Sequence, residues 1–247
     1  MWDDARQMNA LAITLAAIAL VGVAVAAVIW SVRQPVFAWH EVVVTTPLER
    51  INGAQLETVI REDLAGTFFT MDLARARAAL RQVPWVRDVS LRRQWPHRLE
   101  LAVDEHEPLA RWNDAALVST RGEVFAARAD DGLPLFEGPE GTAADMVARY
   151  AAWGSDLQPL GLTIREIRMS PRGGWRLKTI GADGPLTLEL GRDEPEARLA
   201  RFVAVHARTL GALAQSGTRV DAVDLRYRNG FAARIPTFRE KNARPAA

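Results

Sequence analysis

The chain has 247 residues and is almost charge-balanced, with 31 lysines and arginines against 30 aspartates and glutamates, so no net charge argues for nucleic acid or an acidic substrate. Cysteine is absent, which excludes disulfides, cysteine-based zinc sites and thiol catalysis and leaves the fold to its cores alone. The length after the first apolar segment suits one large or two small domains.

Ala10 to Trp30 (ALAITLAAIALVGVAVAAVIW) holds no charge, and Thr14 is its only polar side chain. As a helix this stretch spans roughly 31 Å, close to a bilayer's hydrocarbon thickness. In lipid a backbone must satisfy its own hydrogen bonds, which demands a helix. Apolar on every side and flanked by Trp2 and Trp30, the segment reads as a transmembrane helix over 10–32, behind a short cytoplasmic tail at 1–9. A buried core helix would be shorter and one-sided. A cleaved signal would use Ala24-Val25-Ala26, but MWDDARQMN carries two acids and one base, and the apolar run continues through Trp30. An uncleaved anchor is therefore expected. Arg6 and Arg33 flank the helix one on each side, so loop charge gives no orientation. The bulk on the carboxyl side favours a cytoplasmic amino terminus.

Phe37 to Val44 (FAWHEVVV) is aromatic and β-branched, as strands are. After a loop at Pro47 and Asn52-Gly53, Leu56, Val59, Ile60 and Leu64 fall on one helical stripe, stopped by Gly66. Met71-Asp72 opens a second helix with Leu73, Ala76 and Leu80 aligned, and Pro84 closes it. The period then becomes two: Val89 and Leu91, and beyond Trp95-Pro96, Leu99, Leu101 and Val103, alternate with polar residues. Strand–helix–helix–strand–strand over 36–105 predicts a three-stranded sheet carrying two helices. Arg87, Arg92, Arg93 and Arg98 belong to its solvated side. The stretches FAWHEVVV, TFFTMDL, VPWVRDVSLRRQWP and Glu107-Pro108-Leu109-Ala110-Arg111-Trp112 resemble the POTRA domain of the bacterial FtsQ/DivIB cell-division family.

Short strands dominate 107–235. Ala116 to Ser119 and Glu123 to Ala126 flank Arg121-Gly122 as a hairpin-like pair, and Leu133 to Phe136 is brief. A helix is expected over about Thr142 to Trp153, strands over Leu162 to Met169, Trp175 to Ile180 and Leu186 to Leu190, and another helix over about Glu194 to Gln215. Within Val220 to Ile235, Asn229-Gly230 is a strong hairpin signal, yet a two-residue turn there sets Leu225 opposite Arg234 and Asp224 opposite Ile235. A continuous strand puts Val223, Leu225, Tyr227, Phe231, Ala233 and Ile235 on one face, so one long strand is expected, with Gly230 the place for a bulge. LVSTRGEVF, LPLFEGPEG, LELGR and VDLRYRNGF also resemble the FtsQ family, which extends the likeness from about Ala10 to Ile235. The tail 236–247 is polar and expected to be disordered.

The most metal-like cluster, Asp104-Glu105-His106-Glu107, alternates faces along a strand and so does not converge as ligands do. No Gly-x-Ser-x-Gly motif or Gly-rich phosphate loop occurs, and Asp130-Asp131-Gly132 reads as a turn rather than an acid pair. No catalytic residue, cofactor or metal is expected. The resemblance implies an α+β fold class: a single N-terminal transmembrane helix, a small POTRA domain (βααββ), then a mostly antiparallel β domain with helices. It further implies a non-enzymatic inner-membrane scaffold of the divisome, enriched at the septum, with its carboxyl bulk periplasmic. The partners it implies are FtsB and FtsL, with FtsB docking on the last strand, and other divisome proteins through the POTRA domain. Carried onto this chain, Arg226, Tyr227, Asn229, Gly230 and Phe231 would make contact, with Arg172 beside them. Tyr227 would be the anchor, unless it is ordinary core sharing a face with Leu225. The alternatives are an envelope adaptor using its POTRA domain in outer-membrane assembly or secretion, and a membrane-anchored hydrolase. Several POTRA repeats or a barrel would mark the former and a nucleophile the latter.

Overall fold

A computed structural model describes residues 5–39, 41–51, 53–63, 67–113, 115–128 and 132–236. The expected helix stop at Gly66, the turn at Asp130-Asp131 and the tail from 237 lie outside the described residues. The chain divides into two compact units, Met1–His106 and Glu107–Ala247. The architecture is α+β: an apolar N-terminal helix, a small βααββ unit, and a mostly antiparallel sheet with helices.

The first unit begins with α1 (Ala5–Val32). Its segment Met8–Val32 is long and apolar enough to cross a membrane, and its described side chains are exposed almost throughout. A single 3-10 turn at Pro35–Phe37 follows, and only Glu41–Val44 (β1) pairs as a strand. The expected strand over 37–44 is therefore shorter, because Pro35 starts a tight turn and Ala38 makes just an isolated bridge with Thr67. Helix α2 (Gly53–Asp63) buries Leu56. Helix α3 (Leu73–Leu80) starts where the Asp72 carboxylate accepts from the N–H groups of Ala74 and Arg75 at 2.9 and 3.1 Å. Strands β2 (Val86–Gln94) and β3 (Arg98–Glu105) form a hairpin in the register Val89↔Val103 and Leu91↔Leu101, and β1 lies parallel on the far side of β3. Alternation delivers Val89, Leu91, Leu99, Leu101 and Val103 to one face, where they meet Leu56, Ala76 and Leu80. Burying five such side chains contributes on the order of 10 kcal/mol before the opposing chain entropy.

The second unit is a nine-stranded sheet with helices on one face. Strands β4 (Pro108–Trp112), β5 (Ala116–Ser119) and β6 (Val124–Phe125) form one end, and β7 (Leu135–Glu137) lies parallel to β4. The Glu107–Trp112 run, which resembled the POTRA pattern, is thus the first strand of the second sheet. Gly122 has φ +82°, and a Cβ there would stand 2.6 Å from the backbone of Ala144, so only glycine fits this turn. Helix α4 (Ala143–Leu157) crosses from β7 to the parallel β8 (Thr163–Met169), as parallel neighbours require. Strands β9 (Trp175–Gly181) and β10 (Gly184–Gly191) continue antiparallel. The expected helix over 194–215 is two helices, α5 (Pro195–His206) and α6 (Leu210–Gln215). The N–H groups of Arg208 and Thr209 turn to the carbonyls of Val205 and His206, three residues back, and the Thr209 hydroxyl takes Val205 O as well. That tightening ends α5, and α6 restarts with Leu210 in the core. Leu177, Leu186, Leu188 and Leu190 fill the helix-covered face with Trp153, Trp175, Leu199 and Phe202. The other face carries ion pairs between neighbouring strands: Lys178 with Glu166 at 2.7 Å, Arg176 with Glu189 at 2.5 Å, and Arg168 with Glu137.

Candidate protein-interaction site

The sheet ends in β11 (Ala222–Asp224), parallel to β10, and β12 (Ala232–Arg234), antiparallel to β11. The single long strand expected over 220–235 is thus two strands folded back on each other. Their register pairs Val223 with Ala233 and Asp224 with Ala232, leaving 225–231 as the connection. A two-residue turn at Asn229-Gly230 would demand another register. With seven residues between the strands, Leu225 and Ile235 fall outside the ladder, and it is the small Ala222 and Ala232 that face Arg234 and Asp224. Strand β12 closes the sheet order, and its three residues are exposed, two of them alanines. An edge strand offers backbone N–H and C=O groups to an incoming strand, and small side chains leave the approach clear.

The connecting loop is pinned at both ends. The Leu225 N–H donates to Glu189 O at 2.9 Å, and its side chain is buried. Arg226 grips Asp224 through Nε to Oδ1 at 2.9 Å and Nη2 to Oδ2 at 2.6 Å. That hydrogen bonding, from the Arg226 side chain first, holds the Asp224 carboxyl below the usual carboxylate range and raises the arginine in turn. At the far end the half-buried Phe231 ring meets Phe202 edge-on at 6.1 Å. Between these anchors Tyr227 is 57% exposed. Sharing a face with the buried Leu225 would have made it core, but that needed a continuous strand, and the chain leaves the strand at Asp224.

Asn229, Gly230 and Phe231 line a cavity of about 610 Å³ against the outer flank of α5. Phe202, Val205 and Leu225 give it an apolar floor, and Arg198, Arg201 and Arg228 surround it. Two of those cations also brace the loop and the sheet: Arg201 Nη1 donates to Arg228 O at 2.9 Å and Arg198 Nη1 to Leu190 O at 2.6 Å. Sequence reading missed Arg198 and Arg201, although their spacing of three beside Leu199 and Phe202 is the signature of a polar flank next to a core stripe. Arg172 lies elsewhere, in the exposed turn joining β8 to β9. That turn is at the end of the sheet where β10 and β11 finish, since Trp175 pairs with Gly191 and Glu189 with Asp224. One strand, β10, separates β9 from β11.

Residues 37–106 match the family described as POTRA domain, FtsQ-type, and residues 110–226 match Cell division protein FtsQ/DivIB, C-terminal. Cell division protein FtsQ of Nitrosospira multiformis is 37% identical to the chain, over 95% of the chain and 99% of that protein. The chain belongs to the FtsQ/DivIB family of cell division proteins. Its likeness to the protein of the same name from Burkholderia pseudomallei is also 37%, over 97% of the chain and 96% of that relative, and to the one from Neisseria gonorrhoeae 32%, over 95% of each. The FtsQ/DivIB match ends at Arg226, inside the connecting loop. No group of three or more His, Cys, Asp or Glu side chains converges as a metal site among the described residues.

Proposed function

We propose that this cell division protein is a non-enzymatic scaffold of the divisome that binds FtsB and FtsL through the open end of its second sheet. The helix α1 anchors it uncleaved in the inner membrane, with the amino terminus cytoplasmic and the rest of the chain beyond α1 in the periplasm, at the division septum. The observation that carries the reading is the exposed Tyr227, presented beside the open edge strand β12 by a loop anchored at Leu225 and Phe231. A partner strand added to β12 would have its backbone groups paired, while Tyr227 supplies a large amphipathic contact of the kind that dominates interfaces. Asn229, Gly230 and Phe231 offer the adjoining concave surface. Arg226, already holding Asp224, and Arg172 at the same sheet end place positive charge around it for partner carboxylates, each worth little if solvated.

The test is binding of the full chain, in lipid nanodiscs, to the purified FtsB–FtsL pair, together with its thermal unfolding. Tyr227→Ala is expected to weaken binding by about 2 kcal/mol or more, close to thirtyfold, with an unchanged melting temperature because the side chain is exposed. Unchanged binding, or melting that falls in step with binding, removes Tyr227 from the interface.

A further inference from the structure

The apolar surface of α1 does not stop where the helix does. Trp30 is 70% exposed, Val36 67% and Phe69 49%. Phe69 belongs to the turn at 67–70, remote from α1 in sequence yet tied to its last residue: the Thr67 hydroxyl donates to Val32 O at 2.8 Å. The Phe68 N–H donates to Phe37 O at 2.8 Å, and the Phe37 and Phe69 rings meet edge-on at 5.3 Å. The turn also satisfies part of its own backbone. Thr67 N–H donates to Thr70 Oγ1 at 2.9 Å, and the N–H groups of Thr70 and Met71 go to Thr67 O. A turn closed in this way can enter a poorly hydrated layer without stranding those donors. Arg33, exposed just past the helix end, sets a guanidinium at the level where phosphates would lie.

We infer that the 67–70 turn is a second membrane contact, with Phe69 seated in the headgroup region of the leaflet where α1 ends, so that the first unit is held against the lipid surface. The partner is the bilayer itself. Continuity argues for it: the turn that carries the exposed ring is hydrogen-bonded through the Thr67 hydroxyl to the last residue of the candidate span, and phenylalanine is among the side chains that surface-bound segments bury at the headgroup boundary. The inference rests on reading α1 as membrane-spanning, and the experiment separates the two.

Because the sequence lacks cysteine, a single Val36→Cys in the full chain, on the exposed surface beside Phe37, accepts one environment-sensitive fluorophore. The labelled protein is placed in phosphatidylcholine–phosphatidylglycerol vesicles containing lipids brominated near the headgroup or deep in the chains. A second labelled chain carries Val21→Cys, at mid-helix. Shallow bromines are expected to quench the probe at 36 and deep bromines the probe at 21, and adding Phe69→Asp to the first chain should lift the shallow quenching while Phe69→Leu keeps it. A probe at 36 that answers to aqueous iodide and to no brominated lipid, with the probe at 21 still quenched, overturns the second contact alone. So does shallow quenching that Phe69→Asp leaves untouched. Loss of quenching at 21 defeats the membrane span, and this inference falls with it.

Discussion

His206 is a histidine whose surroundings change its chemistry. It ends α5 with its ring edge-on to Phe202 at 5.3 Å, and it faces a cavity of about 110 Å³ lined by Leu160, Leu162 and Leu210. Burial pushes its pKa below the ordinary 6.5, and Asp183, on the same cavity, opposes that only in part. The folded state therefore prefers the neutral ring, and below 6.5 the unfolded chain binds the proton first. The stability this residue contributes is complete above the ordinary value and declines as pH falls through it toward the lower folded value. Urea unfolding of the second unit followed by its tryptophan signal should show that decline, and His206→Leu should flatten it. A slope that survives the substitution would assign it to other groups. Residue-level reading of the sequence could take Tyr227 as either anchor or core. What decides such cases is burial, and burial depends on where a strand ends.

Elements were legible where one pattern had one reading. The charge-free run of α1, the alternation of Leu186, Leu188 and Leu190 in β10, and the apolar spacing of α4 each admit a single register. The closing stretch did not. Two strands of three residues each are too short to announce a break, and their pairing is fixed by a seven-residue loop whose geometry depends on packing Leu225 and Phe231 against α5 and its neighbours. The division of α5 from α6 was invisible for a related reason, since 207–209 contain neither glycine nor proline. The acidic cluster at 104–107 shows the converse, a pattern whose purpose appears only in space. At the end of β3 the Glu105 carboxylate accepts from the N–H groups of Glu49 and Arg50 at 3.1 and 3.0 Å, and from Ile51 at 3.4 Å, fixing the loop that leads into α2. Charge-assisted bonds of this kind each contribute more than neutral ones. Glu105→Ala should lower the first unit's stability by about 1–2 kcal/mol, with the half-buried position keeping the loss at the modest end. Denaturant unfolding measures this, and Glu105→Gln should recover part of it. A variant as stable as the parent would mean that water serves these donors equally well.

At the scale of the molecule, each unit has a core of its own. Among the described residues, the first gathers twelve buried apolar side chains from its two helices, its hairpin and the adjoining loops, and the second gathers twenty around Trp153, Phe136 and Phe202. A unit with its own core can fold without the rest of the chain. For the first unit, size makes the question sharp, because domains of about 60 residues bury a smaller share of their surface than larger ones and sit near the limit of independent stability. Three features favour it. The β2–β3 hairpin is joined by a short turn, Asp72 caps α3, and Thr46 extends the sheet by accepting from Val103 N–H at 2.9 Å and donating to Val103 O at 3.1 Å. We therefore propose that residues 36–105 are an autonomous domain. Expressed alone, they should unfold in one cooperative urea transition with a stability of about 3–10 kcal/mol, the range expected for a chain of that length. Tryptophan fluorescence and far-ultraviolet circular dichroism should give coincident midpoints. Separate midpoints, or a gradual loss of signal without a transition, would show that the hairpin and helices need residues beyond 105 to close their core, and would move the boundary.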